Sequence, residues 1–179
     1  MAGRTALLVI DVQPVFMNPD SMLTLDGDDL VAKCRTLIER ARAEGIPVIY
    51  VQHVDEDDMP KDVSPEAKAI HSDIAPTLGE PIVEKIFGSA FMQTKLEEVL
   101  TSKEITHLVV CGLSAYGCVN QTVLHARLFN YDVTVAEDAV GAPDHPGFPA
   151  QEGIAAFADE WTKAGMKLVK TADLRFQET

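Results

Sequence analysis

The sequence is short of cysteine, of clustered positive charge and of long apolar runs, and each shortage removes a class of protein. Its three cysteines, Cys34, Cys111 and Cys118, are odd in number, far apart and form no C-x-x-C pair. Neither a disulfide framework nor a zinc knuckle is indicated, so each thiol needs its own explanation. Fifteen Lys and Arg stand against twenty-eight Asp and Glu, a formal net charge of −13. With no basic cluster to interrupt that field a phosphate backbone is repelled, and nucleic acid is not expected as a partner. No apolar run approaches the roughly 20 residues of a membrane helix. The N-terminal run at residues 6–10 is closed by Asp11 before it can form the apolar region of a signal peptide. No membrane partner and a cytoplasmic location are therefore expected. Neither G-x-G-x-x-G nor G-x-x-x-x-G-K-[ST] occurs, which leaves no phosphate cradle for a nucleotide-binding module.

What remains is ordinary globular composition, 46% hydrophobic and 24% charged over 179 residues, without internal repeats or low-complexity tracts. That length suits a single domain, residues 1–179, with a substantial core. Apolar runs of strand length alternate with stretches of helical period. Strands are expected at residues 6–10, 47–52, 82–85, 107–113, 132–136 and 167–170. Helices are expected at 28–44, 93–101, 118–130 and 151–164, with irregular structure between the second and third strands and a Gly/Pro-rich loop at 141–149. This order predicts an α/β fold, a three-layer α/β/α sandwich around a six-stranded, mostly parallel sheet, because right-handed crossovers put helices on both faces. Val109, Val110 and Cys111 lie in a continuous apolar run, as expected of a strand buried on both sides.

Ligands of such sheets bind beyond the carboxyl ends of the strands, near the point where strand order reverses. Asp11 ends the first strand, Lys85 ends the third, and Cys118 sits where the loop after the fourth becomes a helix. A free thiol has a pKa near 8.5, and a helix N-terminus lowers it through unpaired N–H groups. A nucleophile also needs a partner that takes its proton and returns it to the leaving group, which Asp11 can do. A lysine beside them stabilises the anionic forms. Cys34 and Cys111 read instead as core thiols.

Three segments carry a resemblance: Leu7-Leu8-Val9-Ile10-Asp11-Val12-Gln13, Glu84-Lys85 through Ser89-Ala90-Phe91, and Val110-Cys111-Gly112-Leu113-Ser114-Ala115-Tyr116-Gly117-Cys118-Val119. In this order they resemble the signature regions of the isochorismatase-like cysteine hydrolases, which include nicotinamidases and N-carbamoylsarcosine amidohydrolase. The resemblance implies a catalytic Asp11, Lys85 and Cys118, and a cis peptide at Leu113-Ser114. It implies an oxyanion hole made by the backbone N–H groups of Ser114 and Cys118, and assembly into a homo-oligomer. The expected activity is hydrolysis of a small amide, carbamoyl or ureido substrate with no cofactor. Isochorismatase chemistry on a vinyl ether and a non-catalytic ligand-binding role are the alternatives.

Two departures bear on substrate and metal. Family members commonly carry Thr three residues before the cysteine, where this chain has Ala115, and the next residue, Tyr116, either stacks on a planar substrate or packs its ring. Phe16 and His53 are further candidates to line a substrate pocket, with core packing as the alternative for each. Nicotinamidases hold a metal through an Asp-x-His pair that is missing here. His53, Asp55 and His71 match no strong metal signature, so no metal is expected. His71 reads as a loop cap and Trp161 as a packing residue. The 141–149 loop, carrying His145 and Phe148, would rise on the active edge.

Overall fold

The structure is a computed structural model and describes residues 4–17, 27–143 and 149–176. Six strands, β1 (Arg4–Ile10), β2 (Val48–His53), β3 (Ile82–Lys85), β4 (Ile105–Gly112), β5 (Asp132–Val140) and β6 (Lys167–Val169), form one sheet in the order β3-β2-β1-β4-β5-β6. All five pairings are parallel. The helices are α1 (Gly27–Ala43), α2 (Pro65–Lys68), α3 (Leu96–Ser102), α4 (Cys118–Leu128) and α5 (Ala150–Lys163). Strand order reverses between β1 and β4, which fixes where the site lies.

Strand alternation builds two cores from one sheet. Ala6, Leu8 and Ile10 of β1 join Leu108 and Val110 of β4 under α3, α4 and Trp161 of α5. Leu7 and Val9 join Val109 and Cys111 beneath α1, closed by Leu174 and Phe176. Cys34 and Cys111 are both fully buried in this second core. Trp161 is also fully buried, and its indole N–H donates to Asn120 Oδ1 at 2.8 Å. Among the described residues no helix is long and apolar enough to cross a membrane.

Several boundaries differ from the sequence expectation for identifiable reasons. The helix expected from residue 93 starts at Leu96, because Gln93 takes a left-handed φ of 56° and the Thr94 hydroxyl accepts from Leu96 N. β5 runs past the acidic pair to Val140, since Asp138 turns its carboxylate onto the N–H and hydroxyl of Thr171 at 2.7 and 2.8 Å. The stretch between β2 and β3 contains α2 and two 3-10 turns, at Glu56–Asp58 and Ser72–Ile74. Each of these three starts on a side-chain cap, from Asp55, Ser64 and His71 respectively. His145 and Phe148 lie outside the described residues.

Candidate active site

Asp11, Lys85 and Cys118 meet at the carboxyl edge of the sheet. Alternation along β1 would send residue 11 toward α1, but the chain leaves the strand with a left-handed φ of 50° at Asp11. Asp tolerates that conformation better than most residues. Asp11 N is held by Val51 O at 3.0 Å, and the carboxylate meets Lys85, Oδ2 to Nζ 2.7 Å. Lys85 comes from β3, two strands away, so its long stem crosses the end of β2 to arrive. Its ammonium is also 3.2 Å from Cys118 Sγ and 3.1 Å from Phe87 O. Asp11 and Lys85 are 3% and 2% exposed, whereas Cys118 is partly open to solvent.

The loop that presents Cys118 is pinned at both ends. Leu113 N donates to Ile10 O at 2.8 Å and Ala115 N to Gly141 O at 2.8 Å, with the cis peptide between Leu113 and Ser114. Gly112 has a φ of 121°, and a Cβ there would lie 2.8 Å from Ile10 N and also collide with Ile10 O, so only glycine fits where β4 passes β1. The Ser114 carbonyl accepts from both Gly117 N and Val119 N at 3.1 Å. Neither Ser114 N nor Cys118 N donates to a backbone carbonyl among the described residues.

The electrostatics correct one expectation. The helix N-terminus was expected to lower the Cys118 pKa, but burial and then the Asp11 charge push it up to about 12, with Lys85 opposing. Burial also raises the Asp11 carboxyl, against the opposing pull of Lys85 and its hydrogen bonds. Burial tends to lower Lys85, but the charges of Asp11 and then Cys118 outweigh it and hold the ammonium firmly protonated. The local helix effect loses because it acts within one turn, whereas desolvation acts on the whole charge. At rest the cluster is a thiol, a carboxylate and an ammonium, carrying no net charge. Moving the thiol proton to Asp11 leaves that sum unchanged, so the transfer requires no new buried net charge. Asp11 Oδ1 is buried with no hydrogen-bonded nitrogen or oxygen among the described residues, and so can receive that proton.

The other candidate residues divide. His53 lies within the cluster, buried, with Nδ1 3.2 Å from Lys85 Nζ. Phe16 meets its ring edge-on at a centroid distance of 5.9 Å. Tyr116 turns onto α5: its ring packs on Phe157 at 5.7 Å and its hydroxyl donates to Ala150 O at 3.3 Å. His71 accepts from Asp73 N through Nδ1, capping its turn, and no group of three metal-ligating side chains occurs among the described residues.

Gln13 carries a part that sequence reasoning missed. It is fully buried, its Oε1 accepts from His53 N at 2.8 Å, and its Nε2 donates to His53 O at 3.0 Å and to Lys68 O at 2.6 Å. One amide thus satisfies both backbone groups of His53 and anchors α2. The available signal was a side chain with both a donor and an acceptor two residues beyond a strand-end carboxylate.

Residues 5–173 match the model of the isochorismatase domain, and the chain belongs to the isochorismatase family of hydrolases. It is 31% identical to a streptothricin hydrolase of Streptomyces noursei over 80% of this chain and 57% of that protein. It is likewise 31% identical to an N-carbamoylsarcosine amidase of Arthrobacter over 78% of this chain and 60% of the relative. The chain thus spans less than two thirds of the length of either. The crystal structure of an isochorismatase from Pseudomonas putida superposes with a TM-score of 0.84 at 28% identity, covering 94% of this chain and 89% of that one.

Proposed function

We propose that this protein is a cysteine hydrolase that cleaves the C–N bond of a small amide, carbamoyl or ureido substrate through a thioester on Cys118. The thiol passes its proton to Asp11 as sulfur attacks the carbonyl carbon. Oxyanion charge develops against the N–H groups of Ser114 and Cys118, donors whose positions are set before the reaction. The C–N bond breaks as Asp11 returns the proton to the departing amine. Asp11 then takes a proton from water, whose oxygen attacks the thioester, and the Cys118 sulfur leaves and regains that proton. Lys85 stays charged and offsets whichever anion is present.

The observation that carries this reading is the single ammonium 2.7 Å from a buried carboxylate and 3.2 Å from a partly open sulfur. N-carbamoylsarcosine amidase is by name an enzyme of this bond type, and streptothricin hydrolase is by name a hydrolase. A second reading, vinyl-ether hydrolysis, draws on the raised Asp11 carboxyl, which could protonate an enol ether, but it gives the thiol no task. An ammonia-release screen over small amides, run beside pyruvate release from isochorismate, separates the two. Ammonia from wild type and none from a folded Cys118→Ala protein is the expected result; undiminished turnover by Cys118→Ala would remove the nucleophile. The proposal extends to a reducing, cytoplasmic setting, which suits three unpaired thiols. It also extends to a homo-oligomer, for which exposed Leu124, Leu128 and Phe129 offer apolar surface; light scattering tests the assembly.

A further inference from the structure

His53 is the buried group at the site that the chemistry above leaves without a task. It ends β2 opposite Lys85 in the strand register, and Lys85 must pass it to reach Asp11 because β2 lies between β3 and β1. Its backbone is clamped on both sides by the Gln13 amide and its ring rests against Phe16, so it is held in place. An ammonium has donors only, so at 3.2 Å the Nδ1 of His53 can take part only as an acceptor from Lys85. Among the charged groups that face it are Lys85 from β3 and Asp11 from the turn after β1. Cys118 on α4 is reached through Lys85.

Lys85 has three N–H bonds and, among the described residues, four acceptors within 3.2 Å: Asp11 Oδ2, Phe87 O, His53 Nδ1 and Cys118 Sγ. The Asp11 contact is short and charge-assisted, and the Phe87 carbonyl belongs to the backbone just after Lys85 itself. The remaining hydrogen is contested by His53 and the sulfur. A thiol is a weak acceptor and loses that contest; a thiolate carries a full charge and wins it. We propose that His53 is a positioning residue whose Nδ1 holds the third hydrogen of Lys85 while Cys118 is a thiol and yields it to sulfur as the thiolate forms. The inference rests on the reading of Cys118 as nucleophile and Lys85 as its charge partner. His53 then makes the thiolate harder to form at rest.

The test is the pH dependence of Cys118 alkylation by iodoacetamide on the full chain, read by mass spectrometry, which needs no substrate. His53→Leu removes the acceptor, and its profile is expected to move down by about one pH unit, roughly a tenfold faster reaction at neutral pH. His53→Asn keeps an oxygen acceptor and is expected to retain the wild-type profile. A His53→Leu profile that stays put or moves up, or a His53→Asn profile that follows it, overturns the role of His53. Asp11→Asn and Lys85→Met run in parallel: if neither moves the Cys118 profile, the underlying three-residue reading falls instead. Should His53→Leu fail to fold, the imidazole nitrogen-15 spectrum of the wild type decides. An unprotonated Nδ1 on His53 is expected, and a protonated one overturns the proposal.

Discussion

Replacing Lys85 by Met keeps most of the stem and removes the ammonium, so Asp11 loses the partner that justifies its burial. The two side chains are 0% and 4% exposed and 2.7 Å apart. With an effective dielectric near 20, their attraction is about 6 kcal/mol. Desolvation cancels much of this in the intact pair, but removing one partner of a buried pair costs about 3–5 kcal/mol. The cost has a ceiling, because Asp11 can escape by binding a proton. From the ordinary carboxyl value of 3.8, at 1.36 kcal/mol per unit, that escape costs about 5 kcal/mol at pH 7.5 and about 2 kcal/mol at pH 5.5. The sign follows from the raised Asp11 pKa, which loss of Lys85 raises further. Between 3.8 and that raised value the folded state binds more protons than the unfolded chain, so stability falls as pH rises through the window. With a urea slope of about 2 kcal/mol/M, the midpoint should drop by about 2 M at pH 7.5 and by about 1 M at pH 5.5. Urea titrations of both proteins at both pH values provide the measurement. A loss below about 1 kcal/mol, or one that does not shrink in acid, refutes a buried ionised pair.

Three other expectations follow from the same geometry. Asp11 must be ionised to accept the thiol proton, and burial raises its carboxyl; the acid limb of kcat/KM for ammonia release should therefore lie above the ordinary carboxylate range, and a limb at or below pH 4 counts against it as the base. Gly112→Ala forces a side chain into a φ of 121° against the Ile10 backbone and should cost about 3 kcal/mol or more, or abolish folding, as read by thermal melting; a change in Tm of a degree or less would contradict the close approach. Gln13→Leu strips side-chain partners from His53 N and His53 O, while Lys68 O keeps the Gln52 amide at 3.1 Å, and should cost about 2–4 kcal/mol in urea unfolding, with Cys118 alkylation altered through His53; a neutral result would show that the clamp is dispensable.

Much of this was legible in the chain itself. The strand-length runs, the order of elements and the strand-end positions of Asp11 and Lys85 follow from alternation and spacing, which are local properties. The Leu113-Ser114 cis peptide came only through the family resemblance. The direction of the Cys118 pKa was not legible, because the visible feature was one helix end and the deciding terms were burial and a carboxylate 107 positions away. For Tyr116 the sequence allows both substrate stacking and packing, and its contacts with Phe157 and Ala150 depend on α5, far along the chain. The reach of Lys85 over the end of β2, and the Gln13 clamp beneath it, depended on which strands became neighbours. The sequence by itself therefore determined which residues stand at the carboxyl edge of the sheet. Tertiary structure alone decided their charge states and contacts, since desolvation and Coulomb attraction depend on distances that only the assembled sheet defines.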